Sequence, residues 1–312
     1  MMASTQPMSL SFQISGSCWE RSRTSFANPR PTEIMRFGFV TCVQLGLSCL
    51  EEIRNLGGRP DLLVTLRDDL GVRKAGRIYV DDLASAGSIP VNKCRNINDP
   101  ETVSAIRAAD LDWLFIIGWS QIAREEVLAA PKQGVLGMHP TLLPQGRGRA
   151  SIPWAIIRDL PETGVTLFKL DAGVDTGAVL GQERISVEAG ETATSLYAKV
   201  IAAHLDLIRS TWPSLARSAF ELTPQDDTLA SEWPGRTPED GRISPASMTV
   251  AEVDRLVRGT RVPYPGAFVD TPRGRMTVWE GTPDHGTAPV GAMTIELTDG
   301  LFFATRYEAR LE

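Results

Sequence analysis

Few residues in this chain announce a chemistry. Histidine occurs three times in 312 residues, as His139, His204 and His285, too far apart in sequence to suggest a zinc set. The four cysteines (Cys18, Cys42, Cys49, Cys94) form no CxxC pair and no metal-ligand spacing. They read as reduced thiols, two of them in the core, and no metal is expected. Basic charge is also short. With 32 Lys+Arg against 38 Asp+Glu the net charge is −6, the wrong sign for a surface that reads nucleic-acid phosphates. No apolar run approaches the ~20 residues that span a bilayer, so no membrane is expected. The glycine fingerprints are missing too. The turn after the first apolar run reads Thr41-Cys42-Val43-Gln44-Leu45-Gly46, not GxGxxG, which argues against a nicotinamide enzyme. Neither a GxxxxGK[ST] phosphate loop nor a GxSxG nucleophile elbow occurs.

What is there is an ordinary globular composition, 42% hydrophobic and 22% charged, in a chain long enough for two domains. Residues 1–34 differ from the rest. They are rich in Ser, Thr, Pro and Arg, and lack the apolar stretch of roughly 7–15 residues of a secretory leader. They read as a flexible extension, with a tail that orders on a partner as the alternative, and the expected compartment is the cytoplasm.

From Met35 the pattern becomes regular. Strands are expected at 36–40, 61–66, 89–91, 113–117 and 134–138, with helices around 47–56, 100–109 and 124–128 between them. Alternation of this kind implies an α/β fold, a mostly parallel, Rossmann-like sheet with helices on both faces. After His139 the texture changes. A short helix at 151–158 precedes two strands, 164–170 and 179–187, expected to be antiparallel, and a long helix from 192 to about 215 follows. Pro224, Asp226 and Asp227 mark a linker. Residues 231–312 predict a helix at 250–258 and short strands at 267–269, 276–279, 293–297 and 302–307, a small β-rich, OB-like unit. The expected division is therefore 1–34, 35–222 and 231–312.

Two turns carry the candidate chemistry. His139 ends an apolar strand and opens the loop Pro140-Thr141-Leu142-Leu143-Pro144-Gln145-Gly146-Arg147-Gly148. Asp175 lies in the turn Asp171-Ala172-Gly173-Val174-Asp175-Thr176-Gly177. A His and an Asp on turns at strand ends can serve as an acid/base pair. Each also has a plainer use: a strand-end histidine can bond a loop carbonyl, and an aspartate can stabilise its own turn. The loop Gly118-Trp119-Ser120-Gln121-Ile122 follows the most apolar strand, where open α/β sheets bind ligands, though an ordinary connection would look the same. Trp154 is assigned to the core. His204 and His285 are assigned structural roles.

These segments, in this order and with Gly164-Val165-Thr166 between them, resemble the formyltransferases that use N10-formyltetrahydrofolate. The resemblance runs from about Met35 to the C-terminus. Asp240-Gly241-Arg242-Ile243 and Arg258…Pro263-Tyr264-Pro265-Gly266-Ala267-Phe268 are similar to the second-domain signature of the methionyl-tRNA and sugar formyltransferases. The resemblance implies acyl transfer to an amine, with N10-formyltetrahydrofolate as co-substrate and no metal. His139 and Asp175 would be catalytic. Trp119, Ser120, Gln121, Ile122 and Ala123 would bind the folate, with the turn at Asp171 and Val174 closing over it. The amine would enter beside Gly137, Pro140, Thr141 and Arg147.

One position departs from the family. The asparagine two residues before the histidine, the expected oxyanion donor, is here Gly137. Thr141, a backbone N–H or protonated His139 would have to replace it; otherwise the donor differs or the activity is weakened. For the acceptor, residues 231–312 hold nine Arg and no Lys against twelve Asp+Glu, so an RNA-binding second domain is not indicated. A nucleotide-linked amino sugar is the first expectation. Another amine of secondary metabolism, methionyl-tRNA and a non-catalytic folate-binding module are the alternatives. A homodimer is left open.

Overall fold

The computed structural model describes residues 35–71, 77–272 and 274–309. The expectation of a flexible extension over residues 1–34, and Cys18 within it, lie outside them.

Strands β1 (Phe37–Val40), β2 (Leu62–Leu66), β3 (Val91–Cys94), β4 (Trp113–Ile116) and β5 (Gly134–His139) alternate with helices α1 (Gln44–Asn55), α2 (Asp68–Gly71), α3 (Asp81–Gly87), α4 (Pro100–Ala108) and α5 (Glu125–Leu128). All pairings among these five strands are parallel. After β6 (Arg147–Gly148) and α6 (Ser151–Ile157) come β7 (Glu162–Lys169) and β8 (Val179–Ser186), which add in antiparallel fashion. The sheet order is β3-β2-β1-β4-β5-β7-β8. The expected strand at 89–91 lies instead at Val91–Cys94, in register with Leu63–Leu66. Pairing with β2 carries that strand across the polar Asn92 and Lys93, which hydropathy alone would leave out. The polar stretch before it holds α3, which the apolar periodicity had not marked.

Alternate residues of the apolar strands go to opposite faces, and both faces are covered. On one side Phe37, Phe115 and Trp113 pack under α1 and the long helix α7 (Ala193–Leu215). The Phe37 ring lies 5.7 Å from Phe115 and 5.1 Å from Trp212, both edge-on. On the other side Leu114 and Ile116 meet Val103, Ile106 and Val127. Cys42, Cys49 and Cys94 are all buried free thiols, three where two were expected. Burial pushes the Cys49 thiol up to about 12 and the Cys94 thiol to about 11, so neither is a nucleophile at neutral pH.

The C-terminal unit contains β9 (Glu232–Trp233), α8 (Val250–Gly259), β10 (Ala267–Thr271), β11 (Gly274–Pro283), β12 (Met293–Leu297) and β13 (Gly300–Ala309). The last four strands form an antiparallel half-barrel in the order β10-β11-β13-β12, filled by Val253, Leu256 and Val257 of α8. Ile157 of α6 packs against the same core. No helix among the described residues is long and apolar enough to cross a membrane.

Helix α7 begins at a capping box between Thr192 and Ser195 and buries a stripe from Leu196 to Leu215. His204 lies in that stripe, 1% exposed, with Nδ1 2.7 Å from the Val200 carbonyl. Burial lowers its pKa from 6.5 to about 4, so the folded protein keeps the ring neutral where the unfolded chain protonates it. Stability from this group therefore falls as pH drops from about 6.5 toward about 4. At ~1.4 kcal/mol per pH unit the loss reaches ~2–3 kcal/mol by about pH 4.5. Urea unfolding of His204→Gln should show a shallower decline over this range; an unchanged slope would assign the acid lability to other groups.

Candidate functional site

The site opens at the C-terminal ends of β4 and β5, beside the point where the strand order reverses between β1 and β4. His139 is the last residue of β5 and pairs with Thr166 of β7. The ring is 8% exposed. Its Nε2 lies 2.8 Å from the Gly146 carbonyl oxygen, which can only accept. Nε2 therefore carries a hydrogen, which leaves Nδ1 as the ring nitrogen able to exchange a proton. Nδ1 faces Asp175 Oδ2 at 3.5 Å.

Asp175 sits in the turn between β7 and β8 with φ +56°, a left-handed conformation that aspartate tolerates better than most residues. The Gly148 N–H donates to its Oδ2 at 2.9 Å. The carboxylate is thus held by a backbone amide on one side and faces the imidazole on the other. Gly148 is itself required by close approach. Its φ is +106°, and a Cβ there would lie 2.4 Å from the Trp233 carbonyl oxygen. That contact belongs to the short parallel ladder of β6 with β9.

One residue ties the two turns together. Gln225 Nε2 donates to the carbonyls of Asp175 (2.8 Å) and Gly177 (2.7 Å). Its Oε1 accepts from Arg147 Nη2 at 2.8 Å and Nε at 3.2 Å. Arg147 also pairs with Asp227 at 2.7 Å. The stretch expected as a linker is therefore pinned across the site. On the far side, Gln182 Nε2 donates to the Leu143 carbonyl and to Thr166 Oγ1, which anchors the histidine loop to β7 and β8.

A cleft of about 850 Å³ gathers most of the residues singled out from sequence: Trp119 to Ala123, Gly137, His139, Asp171, Val174 and Asp175. Two of these have side chains engaged in building the walls. Gln121 accepts from Ile97 N–H and donates to the Arg95 carbonyl. Asp171 Oδ1 accepts from Gly173 N–H and Thr176 Oγ1, shaping the turn that carries Asp175.

Pro140, Thr141 and Arg147 do not line the cleft. Arg147 is 6% exposed and its guanidinium is spent on Gln225 and Asp227, so it positions the loop and is not offered to a substrate. Thr141 is buried, and its hydroxyl has no hydrogen-bond partner among the described residues. Trp154 corrects the core assignment. It is half-buried, donates Nε1–H to the Pro234 carbonyl, and its ring lies within 5.1 Å of the Arg158 guanidinium and 4.7 Å of that of Arg236.

Gly137 has no open space above it. A Cβ there would stand 2.7 Å from Leu170 Cδ2 and 3.2 Å from its Cγ. Leu170, held by its N–H on the Val135 carbonyl, lays its side chain over the glycine. Sequence reasoning missed Leu170, Gln225, Trp233 and two cleft arginines, Arg149 and Arg236. The second Arg of Gly146-Arg147-Gly148-Arg149 was a visible signal; residues 225–236 carried none, since the long helix α7 separates them from the turns they touch. Among the described residues no group of three or more His, Cys, Asp or Glu could hold a metal ion.

Comparisons with known proteins bear on this arrangement. A sequence model of the formyl transferase family matches residues 72–210, and a model of the formyl transferase C-terminal domain matches residues 236–312. Among solved structures, HypX from Aquifex aeolicus in complex with tetrahydrofolic acid superimposes with a TM-score of 0.64 at 18% identity. The match covers 89% of this chain but 44% of HypX, so the chain spans less than half of that protein's length. An N-formyltransferase from Helicobacter canadensis, in complex with folinic acid and dTDP-3-aminofucose, gives 0.64 at 17% identity over 88% of this chain and 100% of that one. A methionyl-tRNA formyltransferase from Clostridium thermocellum gives 0.59 at 16% identity, covering 89% and 100%.

Proposed function

The chain belongs to the formyltransferase family, and from that premise we propose that it moves a formyl group from N10-formyltetrahydrofolate to the amine of a small molecule, an amino sugar nucleotide first. The observation that carries the reading is the pair of buried His139 and half-buried Asp175 at one cleft, with a hydrogen held on the histidine Nε2 by Gly146.

When bound, the folate supplies an acyl carbon at N10. The cleft fits such a group: Ile122 and Val174 stand 72% and 59% exposed on two loops that line it, and Trp119, Phe168 and Leu170 add apolar wall. Exposed apolar side chains in a cleft are natural partners for a flat heterocycle. The remaining work falls to this chain's own groups. His139 Nδ1 would take the proton from the attacking amine as the new C–N bond forms and return it to the folate nitrogen as the C–N10 bond breaks, so that tetrahydrofolate leaves as a neutral amine. The imidazolium so formed is stabilised by Asp175, while Nε2–H on Gly146 keeps the ring from turning. The same positive charge faces the negative oxygen that develops on the acyl group, at a site where Gly137 offers no side-chain amide.

For the acceptor, the Helicobacter canadensis neighbour holds an amino sugar nucleotide, and the Clostridium thermocellum neighbour acts on methionyl-tRNA. The acidic balance of residues 231–312 favours the first. RNA-binding domains carry an excess of basic charge, and nine Arg against twelve Asp+Glu give the reverse. The test is tetrahydrofolate release from N10-formyltetrahydrofolate with a panel of dTDP- and UDP-linked amino sugars, free amino acids and methionyl-tRNA. Release that depends on an amino sugar nucleotide is expected. Turnover with methionyl-tRNA alone, or folate binding with no turnover on any amine, would overturn the proposal.

A further inference from the structure

Most arginines of the C-terminal unit are neutralised on the spot. Arg242 pairs with Glu239 and Asp270, Arg275 with the same two, Arg258 with Asp254, and both Arg261 and Arg306 with Glu280. Two arginines that line the cleft, exposed Arg149 and, within that unit, half-buried Arg236, form no ion pair among the described residues. Arg149 follows the glycine whose N–H holds Asp175, and its own N–H donates to the Trp233 carbonyl at 3.1 Å. Its stem runs over Gly235, where a Cβ would lie 3.4 Å from Arg149 Cδ. Its guanidinium has neither ion pair nor hydrogen bond among the described residues.

Arg236 is stranded differently. Its guanidinium stacks at 4.7 Å on Trp154, and Nη2 donates to the Asp240 carbonyl. The nearby Asp240 carboxylate is committed to Thr237 N–H and Oγ1 in a capping box, so it forms no ion pair with Arg236. Half-burial lowers the pKa of this guanidinium, and the nearby Asp240 charge offsets that only in part. Stacking occupies the face of the fork and leaves most of its in-plane N–H groups unengaged.

We propose that Arg149 and Arg236 form an anion subsite in the cleft, shaped for the diphosphate of a nucleotide-linked amine. The inference rests on the amine-transfer reading above and adds how the acceptor is held. Planar guanidinium forks match phosphate oxygens two at a time, and two such forks suit a diphosphate better than a single carboxylate. Because Gly148 separates Arg149 from Arg147 and binds Asp175, a diphosphate on the pair leaves the attached sugar beside His139. The opposite wall, Trp119 to Ala123, stays available for the donor. The glutamate carboxylates of the folate donor carry a related charge, and the test separates the two sources.

Calorimetry with dTDP, inorganic pyrophosphate and folinic acid on the full chain decides the matter. Wild type should bind dTDP, and pyrophosphate should displace it. In Arg149→Gln and in Arg236→Gln the Kd for dTDP should rise by about tenfold or more, with Arg236→Lys intermediate, while folinic acid stays within about twofold. Unchanged dTDP affinity, or a loss confined to folinic acid, would overturn the subsite; the second result would assign the pair to the donor's glutamate. If a variant unfolds, wild type alone still tests the idea: failure of pyrophosphate to compete with dTDP, or displacement of bound pyrophosphate by uncharged tRNA but not by dTDP, would overturn it. These readouts need no turnover. Absent formyl transfer with intact dTDP binding would sink the acyl-transfer reading and leave the subsite standing.

Discussion

Replacing His139 by alanine is expected to slow formyl transfer by ~10²–10⁴-fold, the usual contribution of a positioned general base, while folinic acid binding stays within about twofold. The separation follows from where the ring's contacts go. Nε2 is bonded to Gly146 within the loop, and Nδ1 is aimed at Asp175. The apolar groups proposed to hold the folate, Ile122 and Val174 among them, sit on other segments. Asp175→Asn makes the companion test. It keeps an acceptor for the Gly148 N–H but removes the charge that stabilises the imidazolium, so turnover should fall with the fold unchanged. Retained activity in His139→Ala, measured by tetrahydrofolate release, would remove this histidine from the mechanism.

Gly137→Asn is the second large effect. Restoring the asparagine that the resemblance leads one to expect should not restore a donor here. Its Cβ would meet Leu170 at Cδ2 and press on the branching Cγ, so the leucine side chain must turn away from the glycine to admit it. Overpacking of this kind costs ~1–3 kcal/mol, and turnover should fall with it. Adding Leu170→Ala empties the space. The double variant should recover stability over the single one and exceed it in rate, by up to ~10²-fold if the new amide reaches the developing oxygen. A rate gain in the single variant would mean that Leu170 moves aside freely and that the glycine, not the leucine, limits the site.

The parallel half of the sheet was legible because its strands are continuous apolar runs separated by helix-period segments, and both patterns are local. His139 and Asp175 could be picked out because strand ends and tight turns leave marks in sequence. What escaped notice depended on distant partners. Arg147 was assigned to the substrate because it lies in the histidine loop, yet Gln225 and Asp227, some eighty residues on, occupy its guanidinium. Trp154 was assigned to the core by its apolar neighbours, and instead two arginines lie close to its ring. The strand at Val91–Cys94 follows the backbone of β2, not its own hydropathy.

By itself, then, the sequence determined the α/β layering, the order of the elements, and the two turns that carry the proposed acid/base pair. Periodicity, turn chemistry and strand ends are properties of a few consecutive residues. Tertiary structure alone decided which nitrogen of His139 Gly146 occupies and which faces Asp175, what fills the space above Gly137, and which cleft arginines form no ion pair among the described residues. Each of those is settled by contact between segments far apart in the chain, where the pairing of one group removes another from the site.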